Sequence, residues 1–374
     1  MLKIAVIVGT RPEAIKMAPV VLELKRNRKT KPVLVLTAQH REMCDDVFEV
    51  FSLRPDYDLD IMRPNQSLFQ VTSILVRDLE RVLARERPNL VLVQGDTTST
   101  FVGSLCAYYL RIPVGHVEAG LRTYRKYSPF PEEINRRLTT AITDLHFAPT
   151  KTAARALARE GVARKRIFVV GNPVIDALMH VASRRYEFKD KALRGVDFRG
   201  KRVIAVTAHR RESWGRPFES MMRALKRIAS DHPDVEVVFP VHPNPNVRKT
   251  VNRVLRGAKG VVLTEPLDYR DFVKLLKSCY FIITDSGGIQ EEAPSLKKPV
   301  LVMRDVTERP EAVEAGAVRV VGTDFDSIVR WASALLDRDK TYRKMIARTN
   351  PYGDGKTSQR IVRIILRELG GNLI

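Results

Sequence analysis

The segment Thr284-Asp285-Ser286-Gly287-Gly288-Ile289-Gln290-Glu291-Glu292 follows the apolar run Tyr280-Phe281-Ile282-Ile283. The run reads as a buried parallel strand, and the residues after Asp285 read as a helix. Such a junction presents unpaired backbone N–H groups and the positive end of a helix dipole, the surroundings that suit a phosphate. Gly287 and Gly288 let the backbone approach it closely. Gly288 and Glu292 are four apart and share one helix face. A carboxylate one turn below a phosphate can accept both hydroxyls of a ribose. The segment therefore reads as a nucleoside-diphosphate site, with an ordinary strand–turn–helix containing a glycine-rich bend as the competing reading.

Other polar clusters fall at the ends of apolar runs. Gly9-Thr10-Arg11-Pro12-Glu13 follows the first run, Gln94-Gly95-Asp96 follows Leu90–Val93, and His116-Val117-Glu118 follows Ile112–Gly115. Later in the chain come Ala208-His209-Arg210-Arg211 and His242-Pro243-Asn244-Pro245. Asp96, Glu118 and Glu132 form a candidate carboxylate set. Crowded carboxylates raise one another's pKa, which suits proton transfer near neutrality. Glu132 also opens a helix, where acids are expected in any case, and Asp96 is placed to cap the helix that begins near Thr98. Glu118 has no capping role. Arg11 supplies a guanidinium suited to a phosphate, although a cation at a helix start opposes the dipole. His209, followed by two arginines, is suited to meet a pyrophosphate. No G-x-G-x-x-G follows the first strand and no Walker lysine motif is present, so neither bound NAD nor ATP-driven phosphoryl transfer is indicated.

Alternating strand and helix patterns must place these residues. Strands are expected at 3–8, 32–37, 90–93, 112–116 and 144–148. Helices are expected at 12–27, about 41–52, about 67–87, 98–110 and about 132–143. After an irregular charged stretch, Ser183–Lys201, strands recur at 202–207, 235–240, 260–264, 279–284 and 299–303, each trailed by a helix. The last segment, 356–370, is an amphipathic helix suited to return to the first domain. Continuous apolar strands alternating with helices imply parallel sheets covered on both faces. The expected fold is α/β, with two Rossmann-like doubly wound domains facing across a cleft. One comprises 1–185 joined by the C-terminal helix 356–374, and the other 186–355. Ligands of such sheets bind at the carboxyl ends of the strands.

The chain has 374 residues, 44% of them hydrophobic, which suits two globular domains at roughly 100–200 residues each. No apolar run approaches the about 18 residues that mark a membrane span. The first residues read as a strand rather than a signal peptide, so a cytoplasmic protein without membrane contact is expected. Cys44, Cys106 and Cys279 are far apart, and the seven histidines show no HExxH spacing, so no disulfide framework and no metal site is indicated. The formal charge is +21, but Lys and Arg are spread along the whole chain without a basic arm. The charge is read as background that steers anionic substrates, with no nucleic acid as partner. Six glutamines beside a charged fraction of 29% lean towards a thermophilic source.

The motifs in order resemble the non-hydrolysing UDP-N-acetylglucosamine 2-epimerases from end to end. They are GTRPEAIKMAP at 9–19, TAQHRE at 37–42, QGDTTS at 94–99, HVEAGLRT at 116–123 and PFPEEINRR at 129–137. GNPVID at 171–176, HRRES at 209–213, HPNP at 242–245 and TDSGGIQEEAPSLKKPVLVMRDVTERPE at 284–311 complete the set. The resemblance implies a glycosyltransferase-B arrangement, a homodimer, and interconversion of UDP-N-acetylglucosamine with UDP-N-acetylmannosamine without an added cofactor. It implies acid–base roles for Asp96, Glu118 and Glu132. His209 joins them as a catalytic residue that also meets UDP. UDP contacts fall on Arg11, Phe272, Ser286, Gly287, Gly288, Glu292 and Arg309, with Phe272 at the uracil and Glu292 at the ribose. Lys16, Arg136 and His242 join the substrate-binding set. Bacterial members of the family can bind a second substrate molecule as activator. Gln39, His242 and Glu132 match that pattern, whereas Glu42 and Asn65 depart from it and set activation in doubt. A related substrate, a 2,3-diacetamido uronic acid nucleotide, and a UDP-sugar transferase of the same fold remain the alternatives.

Overall fold

The computed structural model describes residues 1–38, 41–63, 65–346 and 349–370, without the side chains of 41–44. The chain divides into two compact units, Met1–Ala177 with Tyr352–Ile374, and Leu178–Pro351. In the first unit the elements run β1 (Leu2–Val8), α1 (Arg11–Arg26), β2 (Thr30–Leu36), α2 (Arg41–Val50), β3 (Tyr57–Asp58), α3 (Leu68–Glu86) and β4 (Leu90–Gln94). They continue with α4 (Thr98–Tyr109), β5 (Val114–Val117), α5 (Glu132–Ile142), β6 (Leu145–Ala148), α6 (Lys151–Arg159), β7 (Ile167–Val169) and α7 (Pro173–Ala182), which runs across the boundary into the second unit.

The second unit holds α8 (Lys191–Arg194), β8 (Arg202–Thr207), α9 (Arg216–Asp231), β9 (Val235–Pro240), α10 (Pro245–Leu255), β10 (Val261–Thr264), α11 (Tyr269–Ser278) and β11 (Phe281–Thr284). After these come α12 (Gly287–Glu292), β12 (Val300–Val302), α13 (Pro310–Glu314), β13 (Val318–Val320), α14 (Phe325–Asp337) and α15 (Asp339–Lys344). The final helix, α16 (Thr357–Gly370), packs against α1 in the first unit. Among the described residues no helix is long and apolar enough to cross a membrane.

Both sheets are parallel, as the continuous apolar runs imply. The first has strand order β3-β2-β1-β4-β5-β6-β7 and the second β10-β9-β8-β11-β12-β13. Every residue of β4 and β5 is buried, because helices cover both faces. On one face Ala5, Ile7, Val91 and Val93 pack with Leu75, Leu79 and Val102 of α3 and α4. In each unit the strand order reverses beside the first strand, between β1 and β4 and between β8 and β11. Strand ends diverge at such a switch point and leave a crevice at their carboxyl ends.

Several elements lie outside the sequence-based expectation. The strands β3, β7 and β13 are two or three residues long, too short to form an apolar run that stands out from its surroundings. The helices α6 and α7 occupy a region for which no element was expected. Within Ser183–Lys201 lies the short helix α8, capped by Asp190 accepting from Leu193 N–H.

The chain's return into the first unit is pinned at one point. The Asp176 carboxylate accepts the N–H groups of Ser358 (2.7 Å) and Thr357 (3.2 Å), capping α16, and Asn172 N–H donates to the Tyr352 carbonyl at 2.6 Å. Burial pushes the Asp176 carboxyl above its ordinary range against those hydrogen bonds.

Gly120 fixes the connection that leaves β5. Its φ is +93°, and a Cβ there would lie 2.3 Å from the Ala153 carbonyl oxygen in α6. Gly161 has φ +88° but nothing within 4 Å of a Cβ. Gly120→Ala is expected to cost about 2–5 kcal/mol, adding the left-handed penalty to a backbone clash. Gly161→Ala should cost only about 1–2 kcal/mol. Denaturant midpoints of the two variants check this, and equal losses would contradict the close packing described here.

Candidate functional site

In the first unit the acidic residues gather beyond the carboxyl ends of β1, β4 and β5. Glu118, one residue past β5, has φ +65°, a conformation non-glycine residues seldom adopt. It is 6% exposed. Lys16 Nζ lies 2.5 Å from its Oε2, the Gln94 amide donates to the same oxygen, and the Asn172 amide donates to Oε1 at 3.4 Å. These donors come from α1, from the last residue of β4 and from the β7–α7 connection. A cation and two amide donors are the surroundings of an anionic carboxylate.

Asp96 lies two residues past β4 and pairs with the Arg136 guanidinium. Burial pushes its carboxyl above the ordinary range; Arg136 pulls it down, and the neighbouring Glu118 charge pushes it further up. Arg136 also lies 3.4 Å from Glu133, so one guanidinium of α5 bridges two acids.

The adjacent acids at the start of α5 have different surroundings. Glu133 is fully buried and accepts the N–H groups of Thr123 (3.0 Å) and Tyr124 (3.1 Å), which anchors the loop after β5. Glu132 is half-buried, and its Oε2 is shielded from water with no hydrogen-bond partner among the described residues. A buried oxygen lone pair without a donor is costly to maintain. That cost separates Glu132 from an acid that merely decorates a helix start.

The capping residue of α1 joins two of these segments. Glu13, 2% exposed, accepts from the N–H groups of Gly9 and Thr10 and from the hydroxyls of Thr10, Thr97 and Thr100. It thereby ties the start of α1, where Arg11 is the first residue, to the start of α4 just after Asp96. Burial raises its pKa against those hydrogen bonds.

In the second unit the basic and imidazole groups lie beyond β8, β9 and β11. Asp285, fully buried after β11, accepts the N–H groups of His209 (2.6 Å) and Arg210 (2.7 Å) and lies 3.5 Å from His209 Nδ1. His209 stacks on His242, with ring centroids 5.1 Å apart and planes 11° from parallel. Burial and the neighbouring His209 lower the pKa of His242. Ser286 is the N-cap of α12.

Neither Gly287 nor Gly288 has positive φ, and a Cβ on either would meet nothing closer than 3.9 Å. The bend itself therefore does not require glycine there, which weighs against the reading of this segment as a simple turn. Bare backbone remains, with the Arg210 and Arg309 guanidinium groups 3.9 Å from where a Gly287 Cβ would stand. Arg309 is held by Glu291, and Glu292, the last residue of α12, is buried. Phe272 sits half-buried in the first turn of α11. Among the described residues no ring contact or side-chain hydrogen bond joins Phe272 to this cluster.

The structure thus gathers Lys16, Asp96, Glu118 and Arg136 through direct pairs, with Arg11 and Glu132 on adjoining helix starts. Separately it gathers His209, His242, Ser286, Gly287, Gly288 and Arg309. Gln39 and the Glu42 side chain lie outside the described residues; Asn65 is exposed at φ +59°. Sequence reasoning did not single out Gln94, Asn172, Asp285 or Arg210 as site residues. Each stands in a motif that had been noticed; for Gln94, Asp285 and Arg210 the nearby end of an expected strand was the available signal, whereas Asn172 follows β7, which was not expected.

The sequence model for UDP-N-acetylglucosamine 2-epimerases matches residues 22–366. The UDP-N-acetylglucosamine 2-epimerase of Escherichia coli K12 is 51% identical, over 97% of this chain and 98% of its own. The crystal structure of the Neisseria meningitidis UDP-GlcNAc 2-epimerase bound to UDP-GlcNAc is similar at TM-score 0.91 and 46% identity, over 98% of this chain and 100% of that one. The S. aureus MnaA–UDP co-structure is similar at TM-score 0.90 and 48% identity, over 100% and 98%. The likeness spans both units, so the fold is the two-domain, glycosyltransferase-B-like α/β fold of these structures. The chain belongs to the UDP-N-acetylglucosamine 2-epimerase family, a family of isomerases.

Proposed function

We propose that this protein inverts carbon 2 of UDP-N-acetylglucosamine to give UDP-N-acetylmannosamine by eliminating and re-adding UDP. The observation that carries the proposal is the carboxyl set of the first unit. Glu118 is surrounded by donors, Asp96 has its pKa raised, and Glu132 has a shielded oxygen with no partner among the described residues. Carboxyl groups in unlike surroundings are what removal and return of a proton require.

The proton on carbon 2 of the intact sugar is not acidic. Cleavage of the anomeric C–O bond, with its electron pair leaving on the β-phosphate oxygen, makes the sugar oxocarbenium-like and acidifies that proton. A carboxylate accepts the proton, leaving 2-acetamidoglucal and UDP. Protonation of carbon 2 from the opposite face and return of UDP to carbon 1 give the epimer. The cycle is redox-neutral and returns every proton.

In the second unit His209, Arg309 and the α12 start at Ser286, Gly287 and Gly288 take the diphosphate, with Glu292 at the ribose, Phe272 at the uracil and His242 behind His209. Arg11, Lys16 and Arg136 complete the binding set. Fixed donors that meet the charge developing on the leaving UDP stabilise the transition state. The reading extends to a homodimer, a cytoplasmic setting and supply of N-acetylmannosamine-type sugars for surface glycans, each supported by the family resemblance. A thermophilic source is supported by composition alone.

Incubation with UDP-N-acetylglucosamine alone in deuterated water is expected to place deuterium at carbon 2 of both epimers. Absence of both exchange and epimer would reject the reading and favour a transferase of the same fold. Glu118→Gln is expected to lower kcat about 10²–10⁴-fold, the usual contribution of a general acid or base, with UDP affinity retained. Turnover measured beside calorimetric UDP binding checks this, and unchanged turnover would remove Glu118 from proton transfer.

A further inference from the structure

Three consecutive carbonyl groups at the end of β4 are each held by a side chain from a different element. Thr100 Oγ1 of α4 donates to the Gln94 carbonyl at 2.6 Å. His116 Nε2 of β5 lies 2.7 Å from the Gly95 carbonyl oxygen. Asn135 Nδ2 of α5 donates to the Asp96 carbonyl at 3.0 Å. The Gly95 N–H donates to the Val117 carbonyl at 3.0 Å, so β5 holds this peptide through both backbone and side chain. Gly95 has φ +77°, which turns the chain sharply and leaves Asp96 beyond the strand end.

The clamp is reciprocal. The Gln94 side chain at the end of β4 holds the Glu118 carboxylate beyond β5, while the His116 side chain on β5 holds the carbonyl just before Asp96. Two side-chain hydrogen bonds across one strand pair thereby link the segments that carry the two carboxylates.

Packing does not account for His116. It is 0% exposed on a central strand, where Val or Leu would be the stabilising choice. Its Nδ1 has no hydrogen bond among the described residues, a further cost. Burial lowers its pKa to about 4, so the ring is neutral near pH 7. A carbonyl only accepts, so Nε2 carries the hydrogen and the ring acts as a fixed donor.

We infer that His116, with Asn135 supporting it, is a positioning residue that holds the Gly95–Asp96 turn at the distance from Glu118 that proton transfer at carbon 2 requires. Neither side chain touches the sugar in this role. The inference rests on the proposed epimerisation, because turnover is its readout.

The test uses the full chain with UDP-N-acetylglucosamine and compares His116→Gln with His116→Leu. A Gln amide reaches close to where Nε2 stands and restores the donor; Leu fills the space without one. His116→Leu is expected to lose about 10–100-fold in kcat, the scale expected for misplacement of a reacting group by about 1 Å. KM and UDP affinity should stay within about threefold, and His116→Gln should recover to within about fivefold of the natural chain. Equal kcat in His116→Leu and the natural chain overturns the inference. So does an equal loss in both variants while UDP binding is intact, since the donor would then be irrelevant. If His116→Leu aggregates, Asn135→Leu carries the same expectation of lower kcat at retained UDP affinity, and unchanged turnover there overturns it. A natural chain that neither epimerises nor exchanges deuterium instead defeats the underlying functional reading.

Discussion

A carboxylate held out of water against a lysine is the constraint on which the first unit depends. Glu118 is almost fully buried, and desolvating such a group costs several kcal/mol unless donors replace the lost water. Lys16, Gln94 and Asn172 supply them from three separate parts of the chain. The carboxylate is therefore properly housed only when α1, β4 and the β7–α7 connection are all in register. Its left-handed backbone adds a strain of about 1–3 kcal/mol, which a fold tolerates where the surroundings over-determine the geometry. Gly120, two residues on, approaches α6 so closely that a Cβ there would meet the Ala153 carbonyl.

The same topology carries two different sets of side chains. In each unit the strand order reverses beside the first strand, and the polar residues of interest follow the strands at or next to that reversal, β1, β4 and β5 in one unit and β8, β9 and β11 in the other. The first unit places acids there, with Lys16 and Arg136 as counter-charges. The second places His209, Arg210 and an uncluttered helix start there, with buried Asp285 orienting the loop that carries them. Acids suit a sugar proton, whereas imidazole, guanidinium and backbone N–H groups suit a diphosphate.

Much of this was legible because parallel strands are long apolar runs and functional groups must follow their ends. That rule singles out Asp96, Glu118, His209 and Ser286 as candidates. The short strands β3, β7 and β13 escaped it. Partners escaped it as well. Gln94, Asn172 and Asp285 are neutral amides or an acid at strand ends, where capping explains them equally well, and only three-dimensional register shows what they hold. Glu132 and Glu133 show the limit most clearly. Two identical neighbours divide into an acid with one oxygen unpartnered among the described residues and a loop anchor, because helix geometry points them in different directions. Composition could not reveal that the glycines at 287 and 288 are unnecessary to the bend, since that follows from φ angles and empty space.

The account requires that the bond between carbon 1 and the β-phosphate oxygen breaks before carbon 2 is inverted, with UDP held nearby. Substrate carrying oxygen-18 in that bridging position tests this directly. Reversible cleavage leaves a β-phosphate free to rotate, so the label should move into non-bridging positions, visible as a phosphorus-31 shift change, in both epimers. Epimer formation with the label still wholly in the bridge would contradict the account, because inversion would then have occurred on an intact nucleotide sugar.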